Sequence, residues 1–158
     1  MKLSPLQLVR YLMPDVFCVA YADYDPEKPR HYGDQSLQVS GSVTPMKADK
    51  KDDFSTWSVD LELQLEPSED TNVPYRIAIK LVGLFRCSST PADMPTDAFV
   101  QANGSSILYG IARELIRGLT AIGPWGQVLL PTLSFTPETP STATRSSPPK
   151  TAKKKKKV

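Results

Sequence analysis

Trp57–Glu66 alternates without interruption and constrains the fold more than any other stretch. Trp57, Val59, Leu61, Leu63 and Leu65 fall on one side. Ser58, Asp60, Glu62, Gln64 and Glu66 fall on the other. A period of two is the mark of a β-strand with one covered and one wet face. Slipping the register by one residue would expose all five apolar side chains and bury three carboxylates. Each large apolar side chain is worth roughly 1.5–3 kcal/mol when fully buried. A segment so strongly registered needs strand neighbours and a second layer.

Both are within reach. Ser36–Thr44 alternates in the same way, with Leu37, Val39, Gly41 and Val43 opposed to serines, Gln38 and Thr44. Tyr75–Phe85 puts Tyr75, Ile77, Ile79, Leu81, Gly83 and Phe85 on one face, and its far end is apolar on both faces. Upstream, Leu6–Leu12 and Val16–Tyr21 read as two extended stretches interrupted by Met13-Pro14-Asp15, because Pro14 lacks a donor and marks a bulge, bend or edge. Ala22–Gln35 is a turn-rich loop crossing to the next strand. The short later connections favour an antiparallel meander.

Beyond Phe85 the period changes. Thr96–Ala102 reads as a short helix capped by Thr96 and broken at Asn103-Gly104. A longer helix then runs from Ser105 or Ser106 to about Ala121, with Leu108, Ile111, Ala112, Leu115, Leu119 and Ile122 spaced by threes and fours. Gly110 and Gly118 lie inside it at a cost of roughly 1 kcal/mol each relative to alanine, which close packing of another backbone would offset. Gly123-Pro124 ends it, and Trp125–Phe135 is an apolar extended segment that Pro131 keeps out of a central sheet position. The expected class is α+β: a four-stranded antiparallel sheet with one long helix packed on it.

Charge divides the chain. Residues 1–135 hold 12 basic and 16 acidic side chains, a net of −4, whereas residues 136–158 hold seven basic and one acidic, a net of +6. We therefore read 1–135 as one domain and 136–158 as a disordered Pro/Ser/Thr-rich tail ending in Lys153–Lys157. Five lysines without aromatics or arginine offer charge but no base-reading groups, so contact of the tail with nucleic acid or anionic surfaces would be electrostatic.

Chemistry is sparse. His31 sits alone in a polar loop, and Cys18 and Cys87 are 69 residues apart with no C-x-x-C. These cannot assemble a usual metal set or a disulfide framework. The Asp49, Asp52, Asp53 cluster lacks EF-hand spacing, and no phosphate-binding loop or nucleophile elbow occurs. The sequence points to a non-enzyme with neither cofactor nor metal. The absence of a signal peptide and of a run near ~18 apolar residues points to a cytoplasmic protein.

Asn103–Phe135 carries a resemblance. Ala112-Arg113-Glu114 in the helix, Gly123 with Trp125 at the turn, and Leu129, Pro131 and Phe135 beyond it resemble the SecB family of protein-export chaperones. Gly83-Leu84-Phe85 at the end of the last strand fits as well, and the likeness extends over about residues 6–135. Gly110-Ile111 stands where the family has Pro-Tyr, Ser134 replaces its Asn before Phe135, and its C-terminal helix has no counterpart in Thr136–Pro149.

The resemblance implies an ATP-independent holdase for unfolded polypeptides or preproteins, serving export and translocation and assembled as a homotetramer, a dimer of dimers. The expected client groove is Tyr109, Trp125, Leu129, Leu130, Leu133 and Phe135, residues that would otherwise simply fill the core. The expected oligomer interface is Leu108, Ile111, Ala112, Leu115 and Leu119. Asp15 is the matching position for a contact to the SecA translocase motor, although Val19, Arg76 and Ala78 occupy the neighbouring positions where many members carry acids. Two other readings stand beside it: a SecB-like chaperone dedicated to one client such as an antitoxin, and an adaptor that binds nucleic acid or anionic surfaces through the lysine tail.

Overall fold

The computed structural model describes residues 3–32, 36–47 and 53–136. The lysine run, all of the expected tail beyond Thr136, and Asp49 and Asp52 lie outside them. Four strands and one helix succeed one another along the chain: β1 (Leu6–Ala20), β2 (Leu37–Met46), β3 (Ser55–Leu65), β4 (Tyr75–Cys87) and α1 (Thr96–Ala121). The strands form one antiparallel sheet in the order β1-β4-β3-β2. The expected class is therefore the observed one.

The meander holds for β2, β3 and β4, and β1 crosses to the far side of β4. The alternation of β3 survives in the register: Val59, Leu61, Leu63 and Leu65 pair with Gly83, Leu81, Ile79 and Ile77, and nearly all of these side chains lie under the helix with no solvent contact. The crossover loop is held by Asn72, which is buried at a positive φ of 46°. Its Nδ2 donates to the carbonyls of Asp25 and Lys28 (2.8 and 3.0 Å), and its Oδ1 accepts from the Asp25 N–H (3.0 Å).

The interruption at Pro14 takes the expected form of a bulge on an edge strand, whereas the expected break in the helix does not occur. The two stretches around Pro14 are one 15-residue strand. It absorbs the proline through register shifts between Leu8 and Arg10 and between Leu12 and Asp15. Pro14 falls within the second shift and has no partner on β4, and β1 is an edge strand of the sheet among the described residues, both positions where a missing N–H is tolerated. The two helices are likewise one 26-residue helix running through Asn103-Gly104. Thr96 is not its cap: Pro95 holds that position without a side-chain bond.

The continuity has a packing cause. Gly104 is buried, and a Cβ there would sit 2.8 Å from Val59 Cγ2, so its bareness lets the helix approach β3. Asn103 donates from Nδ2 to the Phe99 carbonyl one turn back (2.8 Å). Tertiary contact thus overrides the local break signal. Gly110 and Gly118 do the opposite of what was expected within the chain, because a Cβ at either would meet nothing within 4 Å.

Candidate functional site

The chain leaves α1 through a turn built on Tyr75. Its hydroxyl reaches up from β4, accepts the Trp125 N–H (3.1 Å), and lies within donating distance of the Thr120 and Gly126 carbonyls (3.3 and 3.2 Å). Gly123 is placed so close to this ring that any Cβ would overlap the hydroxyl. The glycine of the Gly-Pro-Trp-Gly turn is therefore demanded by a tyrosine 48 residues upstream.

Residues 125–136 then run back along α1 as an extended strap. Thr120 Oγ1 accepts the Val128 N–H (2.8 Å). Arg113 Nε donates to the Leu130 carbonyl (3.0 Å), and the Tyr109 hydroxyl donates to the Pro131 carbonyl (2.7 Å). The Phe135 ring tilts against Tyr109 with centroids 5.6 Å apart. Three helix side chains thus satisfy a strap that belongs to no sheet, which is how an irregular segment can lie against a core without orphaned backbone groups. Burial pushes the Tyr109 phenol upward, and nearby Arg113 opposes this.

The expected groove residues separate along this strap. Leu130 and Tyr109 are buried in the core. Trp125, Leu133 and Phe135 are half-buried, and Leu129 is 59% exposed. Trp125 is fixed at both ends, since Nε1 donates to the Tyr21 carbonyl (3.0 Å) and the ring meets Tyr24 at 5.4 Å. Beyond Phe135 a groove of about 510 Å3 opens between α1 and β2, lined by Val39, Gly41, Ala98, Gln101, Ala102, Ser105, Phe135 and Thr136. The sequence reading missed the β2 and Ala98–Ser105 side of this groove. The inward alternation of Val39 and Gly41 was the signal that could have found it.

The expected interface residues also divide. Leu108 and Ala112 have no exposure and pack on the chain's own sheet, Ile111 and Leu115 are half-buried, and Leu119 is 40% exposed. Ile107 and Ile122 extend the exposed side of the helix.

The sheet face away from the helix is mixed. Near β2 and β3 it is polar, with Glu62 paired to Lys80 (2.7 Å) and Glu66 to Arg76 (2.8 Å). Near β1 apolar and charged side chains alternate with one another: Leu12 lies opposite Val82, Phe17 opposite Ala78 and Val19 opposite Arg76. Asp15 is exposed there, with Lys80 across the strand pair. Among the described residues no group of three His, Cys, Asp or Glu could hold a metal ion. No described helix is long and apolar enough to cross a membrane.

This geometry defines an α+β protein whose single helix and returning strap cover one face of a four-stranded sheet. No family model matches the chain, and no curated protein matches it. Among solved structures it is similar to a Streptococcus agalactiae protein of unknown function, at 11% identity and a TM-score of 0.55. That match covers 80% of this chain and 96% of the other. It is also similar to a Mycobacterium tuberculosis SecB-like chaperone in complex with a ChAD peptide from the HigA1 antitoxin. There the identity is 18% and the TM-score 0.49, over 82% of this chain and 90% of the other. At these identities the likeness is one of fold.

Proposed function

We propose that this protein is an ATP-independent holdase that binds unfolded polypeptides in the groove between α1 and β2. The observation that carries the reading is the apolar line formed by exposed Leu129 and half-exposed Leu133 and Phe135, which leads directly into that groove. An extended client would add its apolar side chains to this line and its backbone to the outer edge of β2, which pairs with no strand beyond β3 among the described residues and whose Gly41 carbonyl accepts from Gln101 Nε2 (3.4 Å), the usual way a strand-like ligand meets a sheet edge. The motif resemblance to export chaperones in Asn103–Phe135 supports the same reading, and with it a non-enzymatic role.

Assembly as a homotetramer belongs to the proposal. The edge of β1, unpaired among the described residues, and the exposed side of α1, with Ile107, Leu119 and Ile122, are two separate surfaces, as a dimer of dimers requires. Ile111 and Leu115 would complete the helical surface, whereas Leu108 and Ala112 would support it from beneath.

The sheet's outer face favours a dedicated client, such as an antitoxin, over delivery to SecA. Asp15 remains the candidate SecA contact, yet its surroundings are Phe17, Val19, Ala78 and Lys80, and the nearby carboxylates Glu62 and Glu66 are already paired with cations.

The test is aggregation of a denatured client diluted into buffer without nucleotide. The protein should delay aggregation at stoichiometric amounts, and Leu129→Asp should reduce the delay while leaving the far-ultraviolet circular dichroism unchanged. Failure of the unmodified protein to delay aggregation would remove the holdase reading.

A further inference from the structure

The two edges of the sheet are built differently. β1 shifts register twice, whereas the ten residues of β2 pair with β3 without a shift. Leu37–Met46 holds no charged side chain. Of the usual devices that blunt an edge, β2 therefore carries neither bulge nor charge, and only Pro45 near its end. The direction of its outward groups follows from one bond. The Glu66 N–H donates to the Ser36 carbonyl (2.8 Å), so Ser36 faces β3. Successive residues of an antiparallel strand turn their N–H and C=O to opposite sides. Leu37, Val39, Gly41, Val43 and Pro45 therefore turn theirs away from β3.

Gly41 is the middle of that row, and a side chain of α1 already holds it. Gln101 donates from Nε2 to the Gly41 carbonyl at 3.4 Å. A well-formed N–H···O bond is about 2.7–3.2 Å long, and both residues are exposed, so this bond is weak and open to exchange. A backbone N–H of an added strand would come to the same carbonyl from the same outer side and make a shorter bond. Gln101 also lines the groove with Gly41. A client residue bonded to Gly41 stands directly opposite it and sends its side chain to the same face of the sheet, toward Ala98, Ala102 and Ser105 on the groove wall.

We propose that Gln101 is a gate on the β2 edge, holding the Gly41 carbonyl until the backbone N–H of an extended client takes its place. The inference rests on the holdase reading and adds to it a positioning residue that the client displaces. A single exposed hydrogen bond leaves such a gate open in about a third of the molecules, which weakens the client's apparent affinity about threefold.

The test compares the full chain with Gln101→Met, which keeps the length of the side chain and removes its donor, and with Gln101→Ala. In the free proteins both substitutions should shift the carbonyl carbon resonance of Gly41. An unmoved resonance would overturn the gate whatever the client does. Reduced, carboxymethylated lactalbumin should bind both variants about threefold more tightly than the unmodified protein. Equal affinities would overturn the gate with the holdase reading intact. So would a gain in Gln101→Ala alone, because bulk rather than the hydrogen bond would then be the obstacle. In the unmodified protein, bound lactalbumin should slow amide exchange at Val39, Gly41 and Val43 about tenfold or more, and unchanged exchange there would overturn the exchange of partners at Gly41. If the unmodified protein binds no lactalbumin, the holdase reading fails and the gate falls with it.

Discussion

Tyr109 joins three parts of the molecule. Its ring is in the core, its hydroxyl holds the strap at Pro131, and its edge meets Phe135. Burial raises the phenol above its usual range, so the folded chain keeps the proton to higher pH than the unfolded one. The stability this contributes is complete below the unfolded value of about 10. It is lost as pH rises from there through the raised folded value. Tyr109→Phe should cost about 1 kcal/mol at neutral pH by leaving the Pro131 carbonyl without its donor. Urea titrations at neutral pH and above pH 10 should show a shallower alkaline decline in the variant. An equally steep decline in both proteins would mean that another group governs it. The sequence marked Tyr109 as a groove residue. It could not show that the hydroxyl faces a carbonyl 22 residues away, because the strap has no periodicity of its own.

The helix shows how far local signals reach. Its apolar stripe was legible, and so was its end at Gly123-Pro124. Its start was misplaced because Asn103-Gly104 is a strong local break, and only contact with Val59 explains why the break is not taken. The same logic separates the glycines. Gly104→Ala should destabilise by about 1–3 kcal/mol through overpacking against Val59, less the gain of roughly 1 kcal/mol from helix propensity. Gly110→Ala and Gly118→Ala meet open space, so each should stabilise the isolated fold by about 0.5–1 kcal/mol. Thermal melts of the three single variants decide this, and a stabilised Gly104→Ala would refute the close approach. The strands were more legible than the helix because a one-residue slip is so costly. The exception was β1, where two bulges hide the alternation that an uninterrupted strand would show.

For the whole molecule, the main question is what covers the exposed apolar surface. Val9, Tyr11, Leu12, Met13, Val16, Phe17 and Val19 on β1 are all more than a third exposed, and among the described residues β1 has no neighbour beyond β4. Long apolar edges of this kind pair with another chain or aggregate. Light scattering should report four chains per particle at micromolar concentration. Leu119→Glu, on the exposed helix side, should reduce that to two by placing like charges across the interface. A monomeric unmodified protein would contradict the assembly, and an undisturbed tetramer in the variant would move the interface off the helix.

The crossover that carries β1 to β4 has a further consequence for synthesis. Ala20 pairs with Tyr75, and Leu6 with Cys87. At about 5–20 residues per second, the first strand emerges several seconds before any residue that can pair with it. Contacts so distant in sequence also close slowly. During that interval a largely apolar 15-residue segment is without β4, the strand it pairs with, so this chain is, at the ribosome, the same kind of unfolded polypeptide that the finished molecule is proposed to bind.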